Sequence, residues 1–150
     1  MTKEGIHPVL TKDFPRLVEV WEASVRATHH FLSESDITSL KPFIPGILEQ
    51  MPELVCVRND NGEVAGFVAV DGRKMEALFV HPSWMGLGIG RRLVEHSVDV
   101  LGVTEVDVNE QNEEAVVFYE KMGFKVVGRS DLDGQGKPFP LLHMQLTVAG

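Results

Sequence analysis

Two stretches of this chain carry residues that can do chemistry together. The first runs Met75-Glu76-Ala77-Leu78-Phe79-Val80, then His81-Pro82, then Met85-Gly86-Leu87-Gly88-Ile89-Gly90-Arg91-Arg92. An apolar branched run, then closely spaced glycines, then a helical pattern reads as strand, turn and helix. Amides at a helix start have no intrahelical acceptor, and the helix dipole adds roughly half a positive charge there. Gly86, Gly88 and Gly90 remove the side chains that would block a close approach, so the turn suits a pyrophosphate. The second stretch is Val108-Asn109-Glu110-Gln111-Asn112, followed by Ala115, Phe118-Tyr119 and Gly123-Phe124. Asn112, Ala115 and Tyr119 stand at i, i+3 and i+7 and share one helix face. Tyr119 can therefore present a phenol to whatever hangs from the pyrophosphate.

The glycine spacing separates this turn from two better-known phosphate loops. A dinucleotide fingerprint reads G-x-G-x-x-G. A P-loop ends in Gly-Lys-Ser/Thr, whereas Arg91 follows Gly90 here.

Composition narrows the function further. A chain of 150 residues, 43% hydrophobic, is expected to form one domain, residues 1–150, with a sizeable core. No apolar run reaches the length of a membrane span, and the polar Met1-Thr2-Lys3-Glu4-Gly5 is followed by no signal-peptide core. One cysteine, Cys56, excludes an internal disulfide and points to a reducing cytoplasm. A formal net charge of -8 argues against nucleic acid and favours a cationic partner. No metal set is expected, because the six histidines are scattered.

The elements that must position these residues follow from periodicity. A strand over Gly5–Leu10 leads to a helix capped by Thr11 or Asp13 and running to about Ala27, with Phe14, Leu17, Val18, Trp21 and Val25 as its apolar stripe. Residues 33–53 read as two short helices broken at Pro42 and Pro45-Gly46. Leu54–Arg58 and Glu63–Val70 form a hairpin about Asn59–Gly62. A strand over Met75–Val80, a helix over Gly86–Leu101, a strand over Val103–Val108 and a helix over Glu113–Met122 follow. Lys125–Asp131 and Leu141–Val148 are the last strands. The order β-α-α-β-β-β-α-β-α-β-β implies a mixed sheet with helices on both faces.

Met85 to Gly90, entered from a strand that ends in a branched residue and Pro, resembles the acetyl-coenzyme A motif Arg/Gln-x-x-Gly-x-Gly/Ala of the GNAT superfamily of N-acetyltransferases. Asn112-x-x-Ala115-x-x-Phe118-Tyr119-x-x-x-Gly123-Phe124 is similar to the family's downstream motif. Trp21, Ser24-Val25, Ala27-Thr28-His29, Phe31-Leu32 and the stretch Asp133–Leu142 extend the resemblance to the bacterial YjaB-like subgroup over nearly the whole chain. The resemblance implies an α/β (α+β) fold with a mixed, mostly antiparallel sheet that splays at the cofactor site. One departure is clear: Met85 stands where the family has Arg or Gln, and its side chain cannot donate to phosphate. Backbone donors from 86–91 are expected to carry the contact, with Arg91 or Arg92 in compensation.

The resemblance also implies roles. Leu78, Phe79 and Val80 pair with a pantetheine arm as a strand would, and an N–H near Phe79 or Val80 donates to the developing oxyanion. Met85, Gly86, Leu87, Gly88, Ile89, Gly90 and Arg91 hold the pyrophosphate. Asn112 caps its helix and holds the arm, Ala115 lets it pass, and Phe118 lines the site. Tyr119 serves the leaving thiolate, the other reading being a core aromatic. Glu76 is either a base or one half of a structural ion pair; Asn109 orients substrate or water, or merely turns the strand end. Thr28, His29 and Phe31 border the acceptor, with histidine as base, as amine recognition or as a helix-end cation. The acceptor is a small-molecule or peptide amine, read by residues 27–53 and 132–140. The expected activity is acetyl transfer from acetyl-coenzyme A to that amine by direct attack, with a non-catalytic acyl-coenzyme A sensor as the alternative. The final strand is expected to offer an edge for a homodimer.

Overall fold

The computed structural model describes residues 5–133 and 136–147. Its elements in chain order are β1 (His7–Pro8), α1 (Phe14–Thr28), α2 (Glu34–Leu40), α3 (Ile44–Glu49), β2 (Glu53–Arg58) and β3 (Val64–Asp71), then β4 (Lys74–Val80), α4 (Ile89–Asp99), β5 (Glu105–Asn109), α5 (Glu113–Lys121), β6 (Phe124–Ser130) and β7 (Leu141–Leu146). The strands make one sheet in the order β1-β2-β3-β4-β5-β7-β6. Only β4 and β5 run parallel.

Two apolar layers sandwich this sheet. On one face Leu17, Val20, Trp21 and Val25 of α1 pack with Phe67 and Ala69 of β3. On the other, Ile89, Leu93 and Val94 of α4 and Tyr119 of α5 pack with Val68, Val70, Met75, Val106, Val108 and Met144. β3 is buried on both faces from Val64 to Val70, which explains its unbroken apolar run. The stripe of α1 therefore includes Val20 and the small Ser24, while Val18 is only half-buried.

The geometry that matters for function arises at β4. Its partner β3 pairs Ala69 with Ala77 and then Val70 with Met75, which leaves Glu76 as an extra residue in a β-bulge. A bulge bends and twists its strand. β4 and β5 pair only at Lys74–Glu105 and Met75–Val106, then part. The edge of β4 beyond Met75 thus has no strand against it.

Several sequence expectations shift. The first strand is two residues long rather than Gly5–Leu10; Pro8 has no amide to donate, and the chain turns away as Asp13 accepts from the Leu10 amide. Asp13 stands at the N-cap of α1 without making a side-chain cap. Gly86–Gly88 precede α4 instead of opening it, because Gly86 and Gly88 hold left-handed φ values of 79° and 81° that a helix cannot contain. β7 lies between β5 and β6, so the final strand offers no free edge for a second copy. The expected end of that strand at Val148 and part of the 132–137 connector lie outside the described residues.

Asp13 ties the helical layer to the sheet. Its carboxylate accepts from Arg58 at 3.0 and 2.8 Å as well as from Leu10. These bonds, the Arg58 pair foremost, hold its carboxyl below the ordinary 3.8. The pair's stabilisation is complete above that ordinary value and is lost as pH falls through the lower folded one. Asp13→Ala is expected to cost about 2–3 kcal/mol, toward the lower end for a buried pair because Arg58 keeps some solvent. Urea denaturation at neutral pH and near pH 3 checks it: the gap between variant and parent should narrow in acid.

Candidate active site

A cavity of about 380 Å³ opens over the glycine turn, between β4 and α5. Met85, Gly86, Gly88, Ile89, Gly90 and Arg91 line one end. No hydrogen bond among the described residues engages the amides of residues 86–91, and the first bond into α4 is Arg92 N–H to the Gly88 carbonyl at 3.0 Å. A Cβ added at Gly86 or Gly88 would meet nothing within 4 Å. Six unpartnered donors, two of them on glycines that leave open space, form a cradle that fits a diphosphate. The Leu87 side chain turns to solvent, so only its amide serves the cradle. Arg91 lines it while pairing with Glu95 at 3.3 Å, whereas Arg92 lies against Gly5 and lines none of it.

The middle of the cavity follows the free edge of β4 at Leu78, Phe79 and Val80. Facing them on α5 are Asn112, Ala115, Phe118 and Tyr119. Asn112 caps α5, its Oδ1 accepting from the Ala115 amide at 3.2 Å, and Gly123 ends the helix at φ 100°. The i, i+3, i+7 face is thus turned onto the cavity. Ser24, Trp84 and Glu114 also line it; sequence reasoning missed them because each looks like an ordinary helix or turn residue.

Tyr119 is 7% exposed, and its ring meets Phe118 at 5.2 Å and Phe124 at 5.8 Å. Its hydroxyl has no hydrogen-bond partner among the described residues, yet none of their buried side-chain oxygens lacks one, so this oxygen must open onto a cavity. Burial pushes the phenol's pKa well above its ordinary 10.0. The group therefore stays protonated and serves as a donor.

A second cavity, about 140 Å³, lies where β4 and β5 part. Glu76, Ala77, Asp107, Val108 and Asn109 line it. It shares His29, Leu78, Phe79, Ala115 and Tyr119 with the first cavity. The Glu76 side chain is exposed and makes no hydrogen bond or salt bridge among the described residues. The alternation shifts across the bulge: Met75, Leu78 and Val80 join one core layer, and Ala77 and Phe79 the other. Glu76 and Leu78 line this second cavity together, beside the splay.

Asp107 was invisible to pattern reading. It accepts from Lys74 Nζ, and it lies 2.7 Å from His143 Nδ1, whose Nε2 is 2.6 Å from Ser130 Oγ. Burial opposes ionisation of Asp107, but the bonds from Lys74 and His143 outweigh it and hold the carboxyl below the usual range. This ladder crosses four strands, and it exists only because β7 inserts between β5 and β6. Thr28 and His29 line the larger cavity, and Phe31 stacks on His29 at 5.3 Å and on Phe139 at 5.7 Å. The two segments expected to border the acceptor therefore touch. Among the described residues no cluster of three or more His, Cys, Asp or Glu could hold a metal, and no helix is long and apolar enough to cross a membrane.

Comparison with known proteins agrees with this geometry. Residues 52–126 match the model of the acetyltransferase (GNAT) domain. The peptidyl-lysine N-acetyltransferase YjaB of Escherichia coli K12 is 46% identical over 128 residues, 85% of this chain and 86% of its own. The solution structure of apo-form YjaB from Escherichia coli superposes with a TM-score of 0.87 at 42% identity, covering 96% of this chain and 97% of the other. A PaiA N-acetyltransferase from Thermoplasma acidophilum in complex with coenzyme A shares the fold, with a TM-score of 0.72 at 22% identity, covering 95% and 98%. Parted strands, a bare glycine cradle and a phenol between them are here joined to close sequence kinship, and the chain belongs to the GNAT family of N-acetyltransferases.

Proposed function

We propose that this enzyme moves the acetyl group of acetyl-coenzyme A to the ε-amine of a lysine side chain in a peptide. The observation that carries this reading is the meeting of the two cavities: they share Tyr119, Ala115, Leu78, Phe79 and His29 at the point where β4 and β5 separate. A donor can enter along one side and an acceptor along the other, with a reacting centre between them.

The donor supplies an acetyl group activated as a thioester. Amides of residues 86–91 hold its diphosphate, and the unpaired edge of β4 at Leu78–Val80 aligns its arm as an added strand would be aligned. A backbone N–H at Phe79 or Val80 steadies negative charge on the carbonyl oxygen. Tyr119 donates a hydrogen bond to the sulfur as it leaves.

The acceptor cavity supports a lysine in particular. At about 140 Å³ it has room for one lysine side chain. Glu76 offers to its lining a carboxylate with no salt bridge among the described residues, and Asn109 adds a side-chain amide. Asp107 already holds the ammonium of Lys74, so an alkylammonium suits this chemistry. The net charge of -8 would draw a cationic peptide in. The name of the 46%-identical relative points the same way. The reaction is assigned to the cytoplasm; Cys56, the one thiol, is buried with its pKa pushed up to about 11 and so is poorly reactive.

The test is a lysine peptide incubated with acetyl-coenzyme A and read by tandem mass spectrometry. One acetyl group should appear on the lysine ε-nitrogen, and a norleucine peptide should gain none. Tight coenzyme A binding with no peptide or free amine acetylated would leave the sensor reading instead.

A further inference from the structure

His29 follows the last residue of α1, and its own amide donates to the Val25 carbonyl at 2.8 Å. The imidazole lines both cavities and is held between the rings of Phe31 and Phe79, at 5.3 and 6.4 Å. One neighbour bears on which nitrogen carries the proton. Thr28 Oγ1 donates to the Ser24 carbonyl at 2.8 Å, and it lies 2.8 Å from His29 Nδ1. A hydroxyl has a single hydrogen. With that hydrogen on Ser24, the usual back-bond of a helical threonine, the Thr28 oxygen accepts and Nδ1 is the donor.

The other nitrogen is then a free lone pair. No described residue donates to Nε2, yet no buried side-chain nitrogen lacks a partner among the described residues, so Nε2 is not sealed in protein. Desolvation, with a contribution from His30, keeps the ring's pKa down at about 4 and the ring uncharged near neutral pH.

Building on the lysine-acetylating reading above, we propose that His29 Nε2 accepts a hydrogen bond from the uncharged acceptor amine and aims its lone pair at the acetyl carbonyl, with Thr28 and Ser24 setting the tautomer. A neutral primary amine has two N–H bonds and one lone pair. Committing one N–H to Nε2 leaves the lone pair directed elsewhere, toward the shared part of the two cavities. The nitrogen pair forms the new N–C bond, and the C–S pair departs with sulfur, which Tyr119 receives through its hydroxyl. The lysine ammonium gives one proton to solvent past Glu76 before attack, the surplus proton on nitrogen follows it afterwards, and the thiolate regains a proton from solvent on release. His29 orients the amine and does not store its proton, since a lysine amine's ordinary value, about 10.4, lies far above that of this ring.

Two measurements test this on the full chain. Long-range nitrogen–proton NMR at neutral pH, without substrate, should show Nδ1 protonated and Nε2 bare in the free protein. Thr28→Val should mix the tautomers while the fold, read by amide shifts, stays the same. In steady-state assays His29→Leu should lose about 30-fold or more in kcat/KM for the peptide, with acetyl-coenzyme A affinity unchanged by calorimetry. His29→Gln, whose side-chain oxygen can occupy the place of Nε2, should recover most of that loss. A protonated Nε2 in the unaltered protein, or a His29→Leu enzyme within threefold of the parent, overturns the proposal. Because the NMR arm needs no acceptor, a wrong tautomer is distinguished from a wrong substrate class.

Discussion

Tyr119→Phe is expected to bind acetyl-coenzyme A as tightly as the parent and to turn over about 10²-fold more slowly, or worse. The substitution removes one oxygen and little else. The ring contacts with Phe118 and Phe124 survive, and the hydroxyl has no hydrogen-bond partner among the described residues whose loss would unsettle the fold. The parent phenol is buried and held in its neutral form. A thiol's ordinary pKa is about 8.5, roughly 1.5 units below a free phenol's and further below this buried one. Complete proton transfer to the thiolate is therefore uphill, and the hydroxyl helps by donating a hydrogen bond as charge develops on sulfur. Calorimetry and steady-state kinetics on the two proteins separate these effects. Loss of binding, or a rate change under threefold, would remove Tyr119 from the chemistry and return it to the core.

Gly88→Ala should weaken acetyl-coenzyme A binding by about tenfold or more. Gly88 sits at φ 81° immediately before α4, with open cavity where a Cβ would project. Alanine there costs roughly 1–2 kcal/mol in left-handed strain and places a methyl group where a phosphate oxygen must approach. Strain and obstruction are separable. Gly72, in the turn between β3 and β4, has φ 63°, also has open space around its Cβ position, and lines neither cavity. Gly72→Ala should therefore lower the melting temperature by a similar amount and leave affinity unchanged. Equal loss of affinity in both variants would mean that the glycine turn only shapes the fold.

Local pattern made much of this site legible. Glycines at 86, 88 and 90 after an apolar run announce a bare turn, and Asn112, Ala115 and Tyr119 announce one face of a helix. Each signal depends only on near neighbours in the chain. What stayed hidden depends on register and strand order. Glu76 was found, but the bulge that holds it was not, because a bulge obeys the opposing strand rather than its own sequence. Asp107, His143 and Ser130 meet only through the insertion of β7 between β5 and β6, and three polar residues on separate strands carry no periodic mark. The same insertion overturned the expected dimer edge. Leu87 contributes its amide to the turn, while the left-handed glycines on either side leave its side chain exposed.

The central claim is that a donor and a lysine meet between β4 and β5, beside Tyr119. A crystal structure with a bisubstrate adduct, coenzyme A joined through sulfur and an acetyl bridge to a peptide lysine, addresses it most directly. The account predicts the diphosphate on the amides of 86–91, the bridge within hydrogen-bond reach of the Tyr119 hydroxyl, and the lysine chain leaving past Glu76 and Asn109. A lysine chain that leaves by any other route, or a sulfur far from Tyr119, would contradict it.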